Sequence, residues 1–200
     1  MANNRTRYFT AVLEDIYQAQ NTSAILRSAE AWAMQDLHVV ENEHSFAHHR
    51  RIAKGAKDWL SVHRYNERTN NSEVCLRNLK SRGYKIAVTA LGEDSIPLAE
   101  LDLSSPVAIV LGTELTGASE TALRMADQKV IIPMYGFTES LNVSVAAGVI
   151  FNFISGEIRK RNLNWQLSNE EKLALKIQWA KKTIYWSDYL VEMFESGELK

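Results

Sequence analysis

The sequence predicts an α/β domain, a parallel sheet with helices on both faces, followed by a helical C-terminal tail. Three observations predict it. Short β-rich runs alternate with helical patterns along most of the chain. The run Val107–Leu111 (VAIVL) is apolar at every position, as a strand covered on both faces must be. The length, 200 residues, suits one domain and is enough to bury roughly 70% of the unfolded surface without a disulfide or metal.

Taken in order, Tyr8–Leu13 (YFTAVL) opens with aromatic and β-branched residues and reads as the first strand. A helical pattern over Thr22–Met34 follows, with Asn21 placed to cap it. Strands are expected at Leu37–Glu41 and Leu60–Tyr65, then a helix over Ser72–Arg82 and a strand at Tyr84–Ala90. Val107–Leu111 precedes a helix over Ser119–Ala126. The next strand, Lys129–Pro133, must stop or lie at an edge at Pro133, which cannot donate to a ladder. Leu141–Ile158 is a long helix. Near Arg159–Asn164 the alternation ends, and helices over Asn169–Lys181 and Thr183–Ser196 form the tail. The expected organisation is thus one domain over 1–158 with an extension, 159–200, packed on it.

Composition narrows the class. A chain 46% hydrophobic and 24% charged, with three prolines, is ordinary globular protein. The single cysteine, Cys75, excludes an intrachain disulfide and a Cys-rich zinc module. The N-terminus has no apolar core of a signal peptide, and the apolar stretch 143–154 is too short to span a bilayer and is broken by Ser144, Gly148 and Asn152. A soluble cytoplasmic protein without membrane contact is expected. The turn after the first strand, EDIYQAQNTS, has no glycine, which excludes a Rossmann-type nucleotide turn. No Walker A, GxSxG or HExxH segment occurs. The adjacent pair His48–His49 would diverge in a helix or strand, so no metal site is expected.

The net charge of −1 hides a partition. Residues 44–85 carry ten Lys/Arg against three acids, and residues 86–156 carry two against eight. A polyanion would be held by the first of these segments, although charge alone favours a solvated face with no partner.

Three segments go beyond ordinary packing. In Asn21-Thr-Ser-Ala-Ile-Leu-Arg27 the arginine lies under two turns beyond the cap, and helical side chains lean toward the N-terminus, so its guanidinium can reach the helix mouth, where anions bind. Alone, the same residues make a capped helix with a surface arginine. Leu111-Gly-Thr-Glu-Leu-Thr-Gly117 follows the buried strand, and a glycine there marks close backbone approach at the strand end where α/β proteins bind ligands. Glu114 is a loop carboxylate between the two glycines. The longest, Ile131-Ile-Pro-Met-Tyr-Gly-Phe-Thr-Glu-Ser-Leu-Asn-Val-Ser-Val-Ala-Ala-Gly148, runs from a strand end through a loop into a helix. Ser140 and Asn142 stand at that helix's start, free to cap it or to face a ligand. Small residues behind them (Ser144, Ala147, Gly148) permit another backbone to come close, and a homodimer through this helix is expected.

Together, NTSAILR, VLGTELTG and IIPMYGFTESLNVSVAAG resemble, in this order, the three motifs of the SPOUT superfamily of RNA methyltransferases, in its SpoU branch of ribose 2′-O-methyltransferases. The resemblance covers about residues 8–158. The tail and the VLEDIYQAQN approach to the first motif are in keeping with the tRNA guanosine-18 subgroup. Ribosomal RNA or another tRNA position is the alternative substrate, and a non-catalytic RNA-binding protein of the same fold is the alternative class. No separate N-terminal RNA-binding domain fits before Tyr8, and both Arg27 and Asn142 are present.

The resemblance implies a C-terminal deep trefoil knot whose loops hold S-adenosylmethionine, and two subunits that complete each site. It makes Arg27 the catalytic arginine, Asn21 its orienting partner, and Glu114, Ser140 and Asn142 further active-site residues. Leu111, Gly112, Ile132, Met134 and Leu141 match positions around the methyl donor, and Thr89 and Leu91 match the remaining wall. The residues between Gly112 and Gly117 depart from many relatives. A ribose hydroxyl attacking a sulfonium methyl must shed its proton, and an arginine, almost always charged, acts best by positioning and electrostatic stabilisation. RNA phosphates should meet Arg50, Arg51, Lys54 and Lys57, helped by Arg5 and Arg7.

Overall fold

The structure is a computed structural model and describes residues 1–113, 115–161 and 163–196, the side chain of Arg50 excepted. Seven strands form one sheet in the order β3-β2-β1-β6-β4-β7-β5. They are β1 Phe9–Glu14, β2 Asp36–Val40, β3 Ser61–Tyr65, β4 Lys85–Thr89, β5 Ile96–Pro97, β6 Val107–Leu111 and β7 Gln128–Ile131. Every pairing is parallel. The helices are α1 Ala19–Ala31, α2 Arg50–Ala53, α3 Ala56–Trp59, α4 Asn71–Ser81, α5 Glu120–Met125, α6 Val143–Lys160, α7 Asn169–Thr183 and α8 Ser187–Glu195.

The central strands β1 and β6 are buried at every position, which is why their sequences carry no polar alternation. Strand pleating sends Phe9, Ala11 and Leu13 to one face, where Ile25, Leu26 and Ala29 of α1 and Ile150, Phe151 and Ile154 of α6 close the main core. Val12, Ile86, Val88, Ala108 and Val110 meet Cys75, Leu76 and Leu79 of α4 and Ala122 of α5 on the other. The Phe9 and Phe151 rings lie 6.3 Å apart and tilted, a pair that adds about 1 kcal/mol beyond its buried area.

The expected strands are all present, each within two residues of its expected ends. Strand β7 stops at Ile131, two residues before Pro133. Three elements were not legible. Strand β5 is two residues long, and α2 and α3 are single turns separated by Lys54 and Gly55 with φ of 46° and 76°. One turn cannot display a helical period. Helix α1 begins three residues before Thr22, so its cap position is Gln18 and Asn21 lies inside the first turn.

The C-terminal elements divide in character. Arg7 bonds Glu171, Thr6 donates its hydroxyl proton to the Trp165 carbonyl at 2.5 Å, and Lys182 donates to the Asp58 carbonyl at 2.7 Å, so α7 is tied to the domain. Helix α8 buries no residue. Among the described residues no helix is long and apolar enough to cross a membrane.

Candidate active site

Parallel strands deliver their carboxyl ends to one side of the sheet, and there a cavity of about 560 Å³ opens between β4, β6, β7 and the start of α6. Thr89 and Leu91 come from the end of β4, Leu111 and Gly112 from β6, Ile132 and Met134 from the loop after β7, and Leu141 from the approach to α6. All seven residues expected around a methyl donor line it. Ser140 and Asn142 line it too. Val130 and Glu139 belong to the same wall, and sequence reading did not single them out.

Gly112 is glycine for lack of space. A Cβ there would stand 2.2 Å from the Gly117 carbonyl carbon and 2.3 Å from the Ala118 nitrogen, both backbone atoms. The loop folds back so tightly because Thr113 and Gly117 exchange two backbone hydrogen bonds at 3.0 Å, with Gly117 at φ 71°. Glu114, between them, lies outside the described residues.

At the mouth of the cavity, residues 121 positions apart meet. The Asn142 side-chain amide donates to Asn21 Oδ1 at 3.2 Å, and Asn142 Oδ1 caps α6 by accepting from the Ser144 N–H at 2.9 Å. The Asn21 amide donates in turn to Gln18 Oε1 at 3.0 Å. Asn21 is therefore a buried residue whose side chain joins the first turn of α1 to the start of α6, and not the cap of α1. Arg27 is exposed and, among the described residues, has no hydrogen-bond or ion-pair partner. Ser140 is exposed at the rim. Backbone-lined apolar walls with amides and a hydroxyl at the opening suit a small ligand whose reacting group faces outward, toward a second substrate.

With that geometry in hand, the comparisons are specific. The SpoU rRNA Methylase family matches residues 8–152. The chain belongs to the SpoU methylase family. Among its relatives is the tRNA (guanosine(18)-2′-O)-methyltransferase of Borreliella burgdorferi, 36% identical over 97% of this chain and 87% of that one. The enzyme of the same name from Thermus thermophilus is 38% identical over 70% of this chain and 71% of its own. Of solved structures, the Aquifex aeolicus TrmH/SpoU tRNA modifying enzyme superposes with a TM-score of 0.79 at 28% identity, covering 92% of this chain and 93% of that chain.

The SpoU fold sorts the basic residues in a way that the sequence does not. Arg5 is not a surface cation. It is 4% exposed, held by Glu30 at 2.8 Å and by the Met34 carbonyl at 2.9 Å. Arg7 is likewise committed, donating to Asp36 at 2.8 Å and to Glu171 at 2.5 Å. Both corrections have one cause: acids distant in sequence neutralise these cations. Within 44–85, Arg64, Arg77, Lys80, Arg82 and Lys85 also sit in ion pairs. Arg51, Lys54 and Lys57 are exposed and form no ion pair among the described residues. They stand on or between α2 and α3, which pack against α1, the helix of Asn21 and Arg27. The side chain of Arg50 lies outside the described part.

The small residues of α6 are also used within the chain. Ala147 is fully buried, and a Cβ on Gly148 would touch Ser28 of α1 at 3.8 Å. The outward residues are Val145 and Val149, 51% and 39% exposed.

Two strongly displaced titrations, on β2 and α4, belong to residues that do not line this cavity. Burial drives the His38 pKa down to about 3 and pushes the Cys75 thiol up to about 12. These groups join β2 and β3 to α4, and their role is structural.

Proposed function

We propose that the protein transfers a methyl group from S-adenosylmethionine to a ribose 2′-hydroxyl of RNA, at guanosine 18 of tRNA. The observation that carries this reading is the Asn21–Asn142 hydrogen bond, which sets the first-motif helix bearing Arg27 at the mouth of the third-motif cavity. The residues fit the donor: about 560 Å³ is within the range of small-molecule sites, and Gly112 lets the loop backbone close on itself at the cavity wall, where a Cβ would strike Gly117 and Ala118. When bound, S-adenosylmethionine supplies an electrophilic methyl on a sulfonium.

The chain's own residues do the rest. Leu111, Gly112, Ile132, Met134 and Leu141 enclose the donor, with Thr89 and Leu91 on the far wall. The Arg27 guanidinium orients the ribose hydroxyl and stabilises the negative charge that develops as it loses its proton. Asn21 orients Arg27 and Asn142 ties Asn21 in place, while Ser140 stands at the rim. Arg51, Lys54 and Lys57 hold RNA phosphates beside α1.

The path of the chain supports the knot that the family resemblance implies. After β7, which lies beyond β4, the chain returns to lay α6 on α1 at the other side of β6. Residues 1–158 form the methyltransferase domain and 159–200 the extension. Val145 and Val149, with fully exposed Tyr135 on the loop above them, favour a homodimer that covers this face. The setting is cytoplasmic, and no metal takes part.

The test is to incubate the purified protein with S-adenosylmethionine and unmodified tRNA or ribosomal RNA, and to map 2′-O-methyl groups. A single methyl at guanosine 18 is expected. Methylation of 23S RNA instead would favour the relative from Shewanella oneidensis, named a 23S rRNA (guanosine-2′-O-)-methyltransferase, which is 33% identical over 70% of this chain and 56% of its own.

A further inference from the structure

Strand β1 ends in a carboxylate that neither the family motifs nor the cavity lining explains. Glu14 is 3% exposed, and no Lys, Arg or His among the described residues forms an ion pair with it. A buried carboxylate is tolerated only when donors surround it. Here there are three. Its Oε1 accepts from the Ser72 hydroxyl and from the Ser119 hydroxyl at 2.8 Å, and Oε2 accepts from the Ser119 backbone N–H at 2.8 Å.

The two serines differ in what they anchor. Ser72 belongs to the first turn of α4 and does not line the cavity. Ser119 ends the loop 112–118, most of which lines the cavity, and it caps α5 by accepting from the Ala122 N–H at 3.1 Å. The near end of that loop is fixed by β6. The loop carries paired backbone hydrogen bonds between Thr113 and Gly117. Its position therefore depends on where Ser119 is pinned, and the pin is Glu14. We infer that Glu14 is a positioning residue for the methyl-donor pocket: through Ser119 it fixes the loop that walls the donor. The inference rests on the proposed reading of the cavity as the S-adenosylmethionine site.

Replacing the carboxylate by an amide of the same size tests it. Glu14→Gln puts an NH₂ group against either the Ser119 backbone N–H or the two serine hydroxyls, so the three donors are no longer all received. S-adenosylmethionine affinity by calorimetry and KM for donor and tRNA are measured beside thermal unfolding. Donor Kd and KM should rise about tenfold in Glu14→Gln while the KM for tRNA stays within twofold. Ser72→Ala, which frees the α4 side of the same carboxylate, should lower the melting temperature and leave donor affinity at the wild-type value. If Glu14→Gln does not fold, Ser119→Ala decides instead, with donor affinity reduced several-fold. The inference is overturned if Glu14→Gln, or Ser119→Ala in its place, loses stability with donor affinity within twofold of wild type. Wild-type protein that binds no donor would overturn the parent reading and this inference with it, a result separate from the first.

Discussion

Gly112→Ala tests the donor pocket where the structure leaves least freedom. The new Cβ would meet the Gly117 carbonyl carbon at 2.2 Å, the Gly117 oxygen at 2.3 Å and the Ala118 nitrogen at 2.3 Å. Carbon–carbon contacts are comfortable at about 3.5–4 Å, so the loop must retreat by roughly 1 Å or more. A backbone cannot swing aside as a side-chain tip can. Overpacking of this kind costs on the order of 1–3 kcal/mol of stability. A shift of about 1 Å in a wall that positions a reactant costs roughly 10²-fold, equivalent to about 2.7 kcal/mol. The expected result is a folded protein with the far-ultraviolet circular dichroism of wild type, a modestly lowered melting temperature, and S-adenosylmethionine affinity reduced about 10²-fold by calorimetry. Donor affinity within threefold of wild type would show that Gly112 does not wall the donor.

Four further outcomes follow from the same geometry. Arg27→Ala should keep donor affinity and lose single-turnover methyl transfer by about 10²–10⁴-fold; a loss of only a few-fold removes Arg27 from the mechanism. Val145→Asp should shift the sedimentation mass from twice the chain to one chain, and a wild-type monomer that methylates RNA refutes the dimer. Replacing Arg51 and Lys54 by alanine should flatten the salt dependence of log tRNA affinity by about 1.5 units, because each phosphate contact contributes roughly 0.7–0.9; an unchanged slope makes α2 and α3 a solvated face. His38 binds its proton in the fold only near pH 3, against 6.5 in the unfolded chain. The unfolded state therefore takes up more protons between those values, and stability present above pH 6.5 is lost as pH falls. Between pH 7.5 and 5 the loss should be about 2 kcal/mol in chemical denaturation and should be absent in His38→Phe.

How much of this was legible in the sequence follows from the range of the interactions. Periodicity and apolar continuity are local, so the strands and the longer helices could be read within three residues of their ends, save α8, which starts four residues after its expected Thr183. The further exceptions are elements too short to show a period, α2, α3 and β5. The motifs were legible for the same reason. Each is a short local segment, the first within one helix and the other two at strand ends, and all seven expected donor-site residues line one cavity.

What the sequence by itself determined, then, was which short segments carry chemistry. Only the tertiary structure decided how they meet and which charges stay free. Asn21 reads as a helix cap until Asn142, 121 residues away, is seen to bond it. Arg5 and Arg7 read as surface cations until Glu30, Asp36 and Glu171 neutralise them. Glu14 looks like the polar end of a strand until Ser72 and Ser119 converge on it. In each case the partner lies at least 25 residues away along the chain. A side chain's charge and hydrogen-bonding capacity are written in its own residue type, whereas what satisfies them is set by parallel strand pairing that brings distant segments to one end of the sheet.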